Sequence, residues 1–451
     1  MKKKFSVLIN NKIGKFNKKI KIPGDKSCSI RAVLFASQCI GISKIKNLLE
    51  SEDVLNCIKS LKTSLGVKII KKNNIYKIYG NGLNSFKTKK KVTKIYVGNS
   101  GTTARLLSGL LSTYPSKFYL YGDKSMNKRN FTGVIEPLKK IGAFFYPNNK
   151  KTLPLTIEGT SMPLAQKHIE NKGSAQIKSS LLLASLSTPG ITTIEEKKIS
   201  RNHSEIFLKR INADIKVKKL KKGNLISLKG QKNLHAFNYT LCSDPSSAAF
   251  LIALTLMTPN SKLLIKNVNC NSTRIGFIKI LKEKMNAKIK ITNMKKQAGE
   301  EPIGNIFVKS SSLKSINCPK NIVPFIIDEF PILFIISAIT KGISRFSGIG
   351  ELRHKESDRI KSIEQGLKKI GIKTKSTRDS IKIFGNPKIK IRKKINIYPK
   401  DDHRIAMSWA IFGLLVGAKI KIHNFETVNT SFPGFISLIR NIGGKIEIKR
   451  N

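Results

Sequence analysis

The chain has 451 residues, 40% of them hydrophobic, so it is long enough to bury cores in about two to three domains. Lysine and arginine number 85 against 27 acidic residues, which gives a formal net charge of +58. No apolar run approaches the roughly 18 to 20 residues of a membrane span. The 6 cysteines lack the paired CxxC spacing that would indicate a zinc site or a disulfide framework.

The first ten residues begin with lysines and continue into a short apolar stretch. That stretch is only about five residues long, whereas a signal peptide needs roughly 7 to 15. We therefore expect a cytoplasmic protein without membrane association, whose cysteines are reduced and mostly buried.

The strong positive charge raises the alternative of a basic nucleic-acid-binding protein. The chain has 14 arginines, so 71 of its 85 basic residues are lysines, and these are spread through nearly every segment together with isoleucine and asparagine. Such uniform enrichment indicates a composition bias. A nucleic-acid binder would concentrate charge on one face or interleave it with aromatic residues, which make up only 7% of the chain. We predict no specific nucleic-acid partner.

Six small polar clusters, each followed by an apolar run, recur along the chain at nearly even intervals. Their anchors are Asp25, Gly101, Ser174, Asp244, Asp328 and Asp402, separated by 76, 73, 70, 84 and 74 residues. Asp, Ser and Asn are typical N-cap residues, so each cluster predicts the start of a helix. Short β-rich stretches follow, as at 41–45, 190–194 and 417–422. The period exceeds that of common solenoids and favours six packed α/β units, three in each of two domains.

The predicted helix starts carry side chains suited to anions. Helix N-termini offer free N–H groups and partial positive charge. A Pro-Gly turn brings Lys26 and Ser27 to a helix start, and Arg31 lies one turn further on. An ammonium, a hydroxyl and a guanidinium would then face one phosphate or carboxylate. Gln176 and Lys178 repeat the pattern with an amide, although any single cluster could serve only as a cap.

Acidic side chains accompany the later clusters. Asp328 lies among apolar residues, and the segments 355–359 and 401–404 combine carboxylates with arginines. Cations would neutralise anionic substrates, and carboxylates would transfer protons. The combination predicts group transfer between two acidic small molecules.

Arginines are informative in so lysine-rich a chain, because they mark positions where a planar, bidentate donor is needed. We expect two or three of those near the clusters only to brace loops, Arg353 and Arg105 first among them. Those near the clusters number seven of 14: Arg31, Arg105, Arg129, Arg201, Arg353, Arg359 and Arg404.

Six strings, in order from about residue 20 to about residue 440, resemble the 5-enolpyruvylshikimate-3-phosphate synthase family, also called 3-phosphoshikimate 1-carboxyvinyltransferases. One string alone is a weak signal, but all six in order are highly specific. They are Pro-Gly-Asp-Lys-Ser-x-Ser-x-Arg at 23–31, Gly-Asn-Ser-Gly-Thr-Thr-x-Arg at 98–105, Ser-Ala-Gln-x-Lys-Ser at 174–179, Ser-Arg-Asn-His-Ser-Glu at 200–205, Lys-Glu-Ser-Asp-Arg at 355–359 and Asp-His-Arg-x-Ala-Met at 402–407.

The resemblance implies a two-domain inside-out α/β barrel in which each domain has three β-α-β-α-β-β units. The first domain would span 22–242, and the second would combine 1–21 with 243–451. The implied reaction moves an enolpyruvyl group from phosphoenolpyruvate to the 5-hydroxyl of shikimate 3-phosphate and releases phosphate. It needs no metal or organic cofactor, and the family expectation is a monomer.

The resemblance also implies the site, position by position. Asp328 would take the 5-hydroxyl proton, while Glu356 or Lys26 would handle the proton at the methylene. The contacts to shikimate 3-phosphate would be Lys26, Ser27, Arg31, Ser174, Ala175, Gln176, Asp328 and Lys355, with Arg201 a weaker candidate. Those to phosphoenolpyruvate would be Lys26, Gly101, Arg129, Gln176, Arg359 and Arg404.

Two departures limit the transfer of roles. Residues 430–433 read Thr-Ser-Phe-Pro where one branch of the family has a lysine before Thr-Phe-Pro, and Asn202 stands where the other branch typically has Asp. UDP-N-acetylglucosamine enolpyruvyl transferase stays the nearer alternative. That enzyme characteristically carries a reactive cysteine in a mobile loop, and the corresponding stretch here, 121–132, has none.

Overall fold

A computed structural model describes residues 4–88, 91–297 and 299–450. The chain divides into two compact units. The N-terminal unit comprises Gly24–Cys242 and Lys296–Glu301, and the C-terminal unit comprises the chain up to Pro23, Ser243–Lys295 and the chain from Pro302 onwards. Each unit has its own buried hydrophobic core.

The elements up to residue 242 alternate between helices and strands. The strands are β1 (Phe5–Ile9), β2 (Asn17–Lys21), β3 (Ile40–Lys46), β4 (Lys68–Lys72), β5 (Ile75–Asn81), β6 (Val92–Tyr96), β7 (Lys117–Tyr121), β8 (Phe144–Tyr146), β9 (Leu155–Glu158), β10 (Lys167–Glu170), β11 (Ile191–Glu196), β12 (Asp214–Lys219), β13 (Asn224–Lys229) and β14 (Asn238–Thr240). The helices are α1 (Lys26–Ser37), α2 (Glu52–Lys59), α3 (Gly101–Ser112), α4 (Thr132–Ile141), α5 (Ala175–Ser185) and α6 (His203–Arg210), with a π-helical turn at Ser60–Ser64 and a 3₁₀ turn at Met126–Lys128.

The remaining elements continue the same alternation. The strands are β15 (Lys262–Asn269), β16 (Lys288–Lys295), β17 (Ile303–Lys309), β18 (Gly342–Ser347), β19 (Thr374–Ser376), β20 (Ser380–Gly385), β21 (Ile395–Ile397), β22 (Ile420–Ile422) and β23 (Glu447–Arg450). The helices are α7 (Pro245–Met257), α8 (Gly276–Met285), α9 (Val323–Ile326), α10 (Phe330–Ala338), α11 (Arg359–Lys369), α12 (His403–Val416) and α13 (Phe435–Asn441), with 3₁₀ turns at Lys320–Ile322, Gly350–His354 and Phe425–Thr430.

Each unit contains three sheets of one repeated design, as far as the described residues go. In the N-terminal unit the strand orders are β14-β3-β5-β4, β6-β7-β9-β8 and β10-β11-β13-β12. In the C-terminal unit they are β16-β17-β15-β2, β18-β20-β19 and β21-β22-β1-β23. In the N-terminal unit each sheet starts with a parallel pair and continues antiparallel, as β6 and β7 show. The three-stranded sheet has only a parallel bridge from Asn317 to Arg345 in place of a fourth strand.

The sheets enclose helices that are buried on all sides, so each unit is built inside-out. Every residue of α10 is buried, and α7 is buried from Pro245 to Leu256. Helices apolar all round are typical of the core of a large protein. The predicted α/β fold with six repeats is thereby confirmed. Across the described ranges no single helix has the length and composition to span a bilayer, although the bent pair Lys320–Ile326 and Phe330–Ala338 passes that test together.

Five of the six predicted N-caps are confirmed. Asp25, Ser100, Ser174, Asp244 and Asp402 each accept a hydrogen bond from a backbone N–H in the first turn of α1, α3, α5, α7 and α12. This is the usual way in which a short polar side chain satisfies the free donors at a helix start.

The sixth predicted cap, at Asp328, is wrong. Helix α10 begins after Glu329, so Glu329 and not Asp328 is the N-cap residue, and Glu329 makes no side-chain cap bond there. Asp328 lies in the turn between α9 and α10, and its carboxylate is directed to arginines instead. The attraction between opposite charges directs the Asp328 carboxylate to Arg359 and Arg404.

Candidate active site

The first predicted cluster lies at the start of α1. The Nζ atom of Lys26 is 3.0 Å from Oδ2 of Asp53, which stands in the first turn of α2. The Lys26 side chain is 14% exposed, so this ion pair stays open to a ligand. Ser27 follows it on α1 and is half-buried. Sequence reasoning missed Asp53, although two acids in sequence after Ser51 are a typical first helical turn.

Arg31 is held by hydroxyl groups. Its guanidinium donates to Oγ of Ser204 at 2.9 Å, to Oγ of Ser179 at 3.0 Å and to the carbonyl of Ser27 at 3.1 Å. Burial lowers the pKa of Arg31 and repulsion from Arg201 adds to that effect, while the nearby Cys28, Asp25 and Glu205 oppose it. Within the described chain no acidic side chain forms an ion pair with Arg31. The guanidinium is thus fixed near the start of α1 by neutral oxygen atoms.

A second group joins the starts of α3 and α5. Arg105 donates to Oε1 of Gln176 at 2.8 Å, and Nε2 of Gln176 donates to Oγ1 of Thr102 at 3.1 Å. Arg129 donates to the side-chain oxygen of Asn99. A methyl group at Gly101 would lie 2.7 Å from Arg105 and 2.9 Å from Arg129.

Gly101 therefore leaves open the space that two guanidinium groups border. Arg105 also donates to the carbonyl of Asn130 at 3.1 Å, so it does brace a loop, but it positions Gln176 as well. The cap Ser174 and its neighbour Ala175 stand at the start of α5, beside Gln176. The structure thus brings together Gly101, Arg129 and Gln176.

Lys178 is not available to a ligand. It is fully buried, with Nζ 2.8 Å from Glu196 and 2.7 Å from Glu205. Burial opposes its charge, but the two carboxylates outweigh that effect and raise the pKa of Lys178. This residue holds α5, β11 and α6 together.

In the C-terminal unit Arg359 is the centre of a cluster of carboxylates. It is 1% exposed and lies 2.9 Å from Asp402, 2.6 Å from Glu356 and 3.5 Å from Asp328. Burial opposes the charge of Arg359, yet the three acids together raise its pKa. The guanidinium fixes the positions of all three carboxylates.

Arg404 completes this cluster from the first turn of α12. Its Nε lies 3.8 Å from Asp328, and its Nη1 lies 3.8 Å from Glu329. The side chain of Asp328 is 22% exposed, whereas that of Glu329 is 2% exposed and accepts from Ser246. Asp328 is therefore the member of this acidic pair that a substrate can reach.

Lys355 lies next to the same acids and is half-buried. Burial lowers the pKa of Lys355, Asp328 raises it, and Arg359 lowers it again. Arg353, two residues earlier, is bound by Asp358 at 2.7 Å and by the backbone carbonyls of Thr377 and Arg378. These contacts tie Arg353 to the loop before β20.

One group of metal-ligating residue types was not anticipated. Asp25, Cys28 and His203 are buried, and their ligand atoms all lie within 4.8 Å of one another in the part of the chain described. Nδ1 of His203 is also 2.5 Å from Glu301. Burial raises the pKa of the Cys28 thiol well above its usual value, and Asp25 and Glu301 raise it further. A thiol held protonated is a poor metal ligand, and the histidine already has a carboxylate partner.

Comparison with known proteins agrees with this geometry. The family model described as EPSP synthase (3-phosphoshikimate 1-carboxyvinyltransferase) matches residues 10–439. A 3-phosphoshikimate 1-carboxyvinyltransferase from Petrotoga mobilis is 41% identical, with 94% of this chain and 97% of that protein covered. The structure of an EPSP synthase from Acinetobacter baumannii matches with a TM-score of 0.83 at 37% identity, covering 99% of this chain and all of the other.

A third match bears on the fold alone. The enolpyruvyl transferase NikO from Streptomyces tendae has a TM-score of 0.78 at only 12% identity, with 99% of each chain covered. Together with the family model and the relatives of higher identity, the inside-out architecture and the clustered cations and carboxylates define an enolpyruvyl transferase.

Among enolpyruvyl transferases, the chain belongs to the EPSP synthase family. It is an enzyme that transfers the enolpyruvyl group of phosphoenolpyruvate to shikimate 3-phosphate in the shikimate pathway. The function predicted from the sequence is confirmed, and the rival reading as a non-enzymatic nucleic-acid binder is displaced.

Proposed function

We propose that the two residue groups divide the work of this transfer. In the N-terminal unit Lys26, Ser27, Arg31, Ser174, Ala175 and Gln176 bind shikimate 3-phosphate, with Arg201 as a weaker contact. Gly101 and Arg129 border the place of phosphoenolpyruvate. The contacts of Arg31 support this assignment, since hydroxyl groups hold its guanidinium and no carboxylate of the described residues forms an ion pair with it. A phosphate would supply an anionic partner.

In the C-terminal unit Asp328 is the proposed base. Two guanidinium groups, those of Arg359 and Arg404, stabilise its negative charge at 3.5 Å and 3.8 Å. Its carboxylate is exposed enough to accept the proton of the 5-hydroxyl. The hydroxyl oxygen then bonds to the substituted alkene carbon of phosphoenolpyruvate.

The alkene carbon that becomes a methyl group must gain a proton in the same stage. Glu356, which is 15% exposed and lies 2.6 Å from Arg359, or Lys26 supplies it. The product of this addition is a tetrahedral intermediate. Loss of a methyl proton and of phosphate then restores the alkene, now as the enol ether of shikimate 3-phosphate.

The cationic side chains neutralise the negative charge of both substrates throughout the reaction. Arg359 and Arg404 bind phosphoenolpyruvate together with Lys26, Arg129 and Gln176, while Lys355 and Asp328 contact shikimate 3-phosphate. Groups fixed in advance do not reorganise during the reaction, and this is what makes such stabilisation effective. The single observation that carries the proposal is the joining of Asp328, Glu356 and Asp402 by one buried arginine.

Phosphate release tests the assignment of the acceptor. The full chain would be incubated with phosphoenolpyruvate and either shikimate 3-phosphate or UDP-N-acetylglucosamine. We expect phosphate only with shikimate 3-phosphate. Release with the nucleotide sugar would favour the other transferase, which the cysteine-free stretch 121–132 argues against.

The location of the enzyme, its domains, its oligomeric state and its cofactor requirement belong to the same proposal. We propose a cytoplasmic monomer whose two domains span 22–242 and 1–21 with 243–451, acting without a metal or organic cofactor. All six cysteines are buried and free of disulfides, which suits a reducing compartment. Sedimentation of the purified chain would test the monomer, and activity after treatment with a chelator would test the absence of a metal requirement.

A further inference from the structure

The outer face of the sheet β6-β7-β9-β8 carries a group of exposed aromatic side chains. We name it the aromatic face and define it by Tyr96, Tyr119, Tyr121, Phe144 and Tyr146. Phe144 is 61% exposed, Tyr146 45% and Tyr96 41%. Four of the 9 tyrosines in the chain lie here, so this residue type is enriched on one sheet face.

Strand register places these side chains on one side of the sheet. Lys94 pairs with Tyr119 and Tyr96 with Tyr121 across β6 and β7. Thr156 of β9 pairs with Tyr119 on one side and Tyr146 on the other. Because paired residues share a face, these side chains point the same way. The alternate residues, such as Phe118 and Phe145, fill the core on the opposite face.

Three of these rings lie close enough together to offer neighbouring surfaces for stacking. The centroid of Tyr121 lies 5.2 Å from that of Tyr96 and 5.7 Å from that of Tyr119. At the other edge a groove of about 660 Å³ is lined by Phe144 and Tyr146 together with Lys91 and Lys117. Adjacent exposed aromatic groups are a common feature of interaction sites.

Lysines lie among these rings. Lys94 is exposed in the row of Tyr119, and Nζ of Lys117 lies over the ring of Tyr146 at 5.9 Å. Among the residues of these four strands, all of which the structure describes, the outward-facing acid is Glu158. Nζ of Lys117 lies 3.3 Å from its carboxylate and neutralises it. The surface therefore combines π-faces with positive charge.

We propose that the aromatic face binds single-stranded nucleic acid with little sequence preference. Bases stack on aromatic side chains regardless of identity, and lysines attract the phosphates between them. A four-stranded sheet with aromatic residues on its open face is one way proteins present such a surface. The sequence predicts no specific nucleic-acid partner, and binding with little sequence preference is a different property.

The net charge of the chain favours a nucleic acid over a second copy of the chain as the occupant of the aromatic face. Two molecules that each carry a formal net charge of +58 repel one another, whereas a polyanion is attracted. A protein partner would find few acidic groups here to pair with. None of the residues of the aromatic face is among those assigned to the transfer reaction, so both activities could reside in one molecule.

The test is fluorescence anisotropy of the full chain with a labelled 12-nucleotide single-stranded RNA of mixed sequence, and with its duplex. The double variant Tyr119→Ala/Tyr121→Ala should weaken single-strand binding at least about tenfold, since one stacked base is worth roughly 5- to 150-fold. Duplex binding, which depends on charge, should change less than about twofold. If that variant fails to fold, Phe144→Ala/Tyr146→Ala on the exposed strand β8 carries the same expectation.

The matched control is Tyr79→Ala. Tyr79 lies on the outer face of a different sheet in the same unit, with Nζ of Lys68 over its ring at 4.7 Å, and among the described residues no second aromatic ring contacts it. It should leave binding and phosphate release unchanged. Unchanged single-strand affinity in both double variants would overturn the proposal. Equal affinity of the native chain for single strand and duplex, or a native dimer that the variants dissociate, would overturn it too.

Discussion

The two units hold their arginines in different ways. In the N-terminal unit Arg31 is bound by the hydroxyls of Ser204 and Ser179. In the C-terminal unit Arg359 is bound by three carboxylates. A guanidinium held by hydroxyls is fixed by neutral partners, while one among carboxylates also keeps those acids ionised and in place. The difference teaches that a buried guanidinium can be held either by neutral hydroxyls or by carboxylates, and that only the second arrangement also fixes acids in place.

The largest effect expected from this contrast is on Asp328. Replacement of Asp328 by Ala should lower kcat roughly 10²- to 10⁴-fold, the range for general acid–base catalysis, because the 5-hydroxyl loses its proton acceptor. The KM for shikimate 3-phosphate should change much less. Steady-state phosphate release measures both constants. Glu447→Gln, which removes a carboxylate from an exposed strand of the same unit, is the control, and near-normal turnover of the Asp328 variant would remove Asp328 as the base.

The second prediction concerns Lys178, a buried cation of the N-terminal unit that, unlike Arg31, is held by carboxylates. It binds Glu196 and Glu205 in the core. Lys178→Met should lower the free energy of unfolding by about 3–5 kcal/mol, because two buried carboxylates lose their counter-ion. Denaturant unfolding measures this. Lys197→Met, which breaks an exposed pair with Glu195, should cost less than about 1 kcal/mol; equal losses in the two variants would contradict the proposed role.

The third prediction sharpens the contrast at Arg31 itself. Arg31→Lys keeps the charge but cannot reproduce three donors directed to Ser204, Ser179 and the Ser27 carbonyl. We expect a loss of about 1.5–3 kcal/mol in binding, seen as a KM for shikimate 3-phosphate raised roughly 10- to 150-fold with a smaller change in kcat. Arg210→Lys, at an ion pair with Glu300 in the same unit, should leave KM unchanged. A fall in kcat at constant KM would assign Arg31 to the chemistry.

The smallest effect is expected at Gly101. The added methyl group of Gly101→Ala would lie 2.7 Å and 2.9 Å from two flexible guanidinium ends, which must move by tenths of an ångström. A displacement of this kind costs about 1 kcal/mol, so the KM for phosphoenolpyruvate should rise roughly fivefold. The KM for shikimate 3-phosphate should stay constant, and an equal rise in both would show that Gly101 does not separate the two substrates. Gly14→Ala, at a position with open space around it, is the control.

Much of the fold could be predicted because its signals are local. A capping side chain and the apolar run after it lie within one stretch of chain, so five helix starts follow from the residues alone. Asp328 was misjudged as a cap because its true partners, Arg359 and Arg404, are 31 and 76 positions away in the sequence. Local reasoning could not weigh that attraction.

The sequence by itself determined the repeat, the family and the residue types of the site, since these depend on order and spacing. Only the tertiary structure decided which groups meet: that Asp53 binds Lys26, that Lys178 is locked in the core, and that one arginine joins three acids. It also decided that scattered tyrosines share one sheet face. The physical reason is that electrostatic and packing contacts act through space, between residues whose separation along the chain carries no sign of their contact.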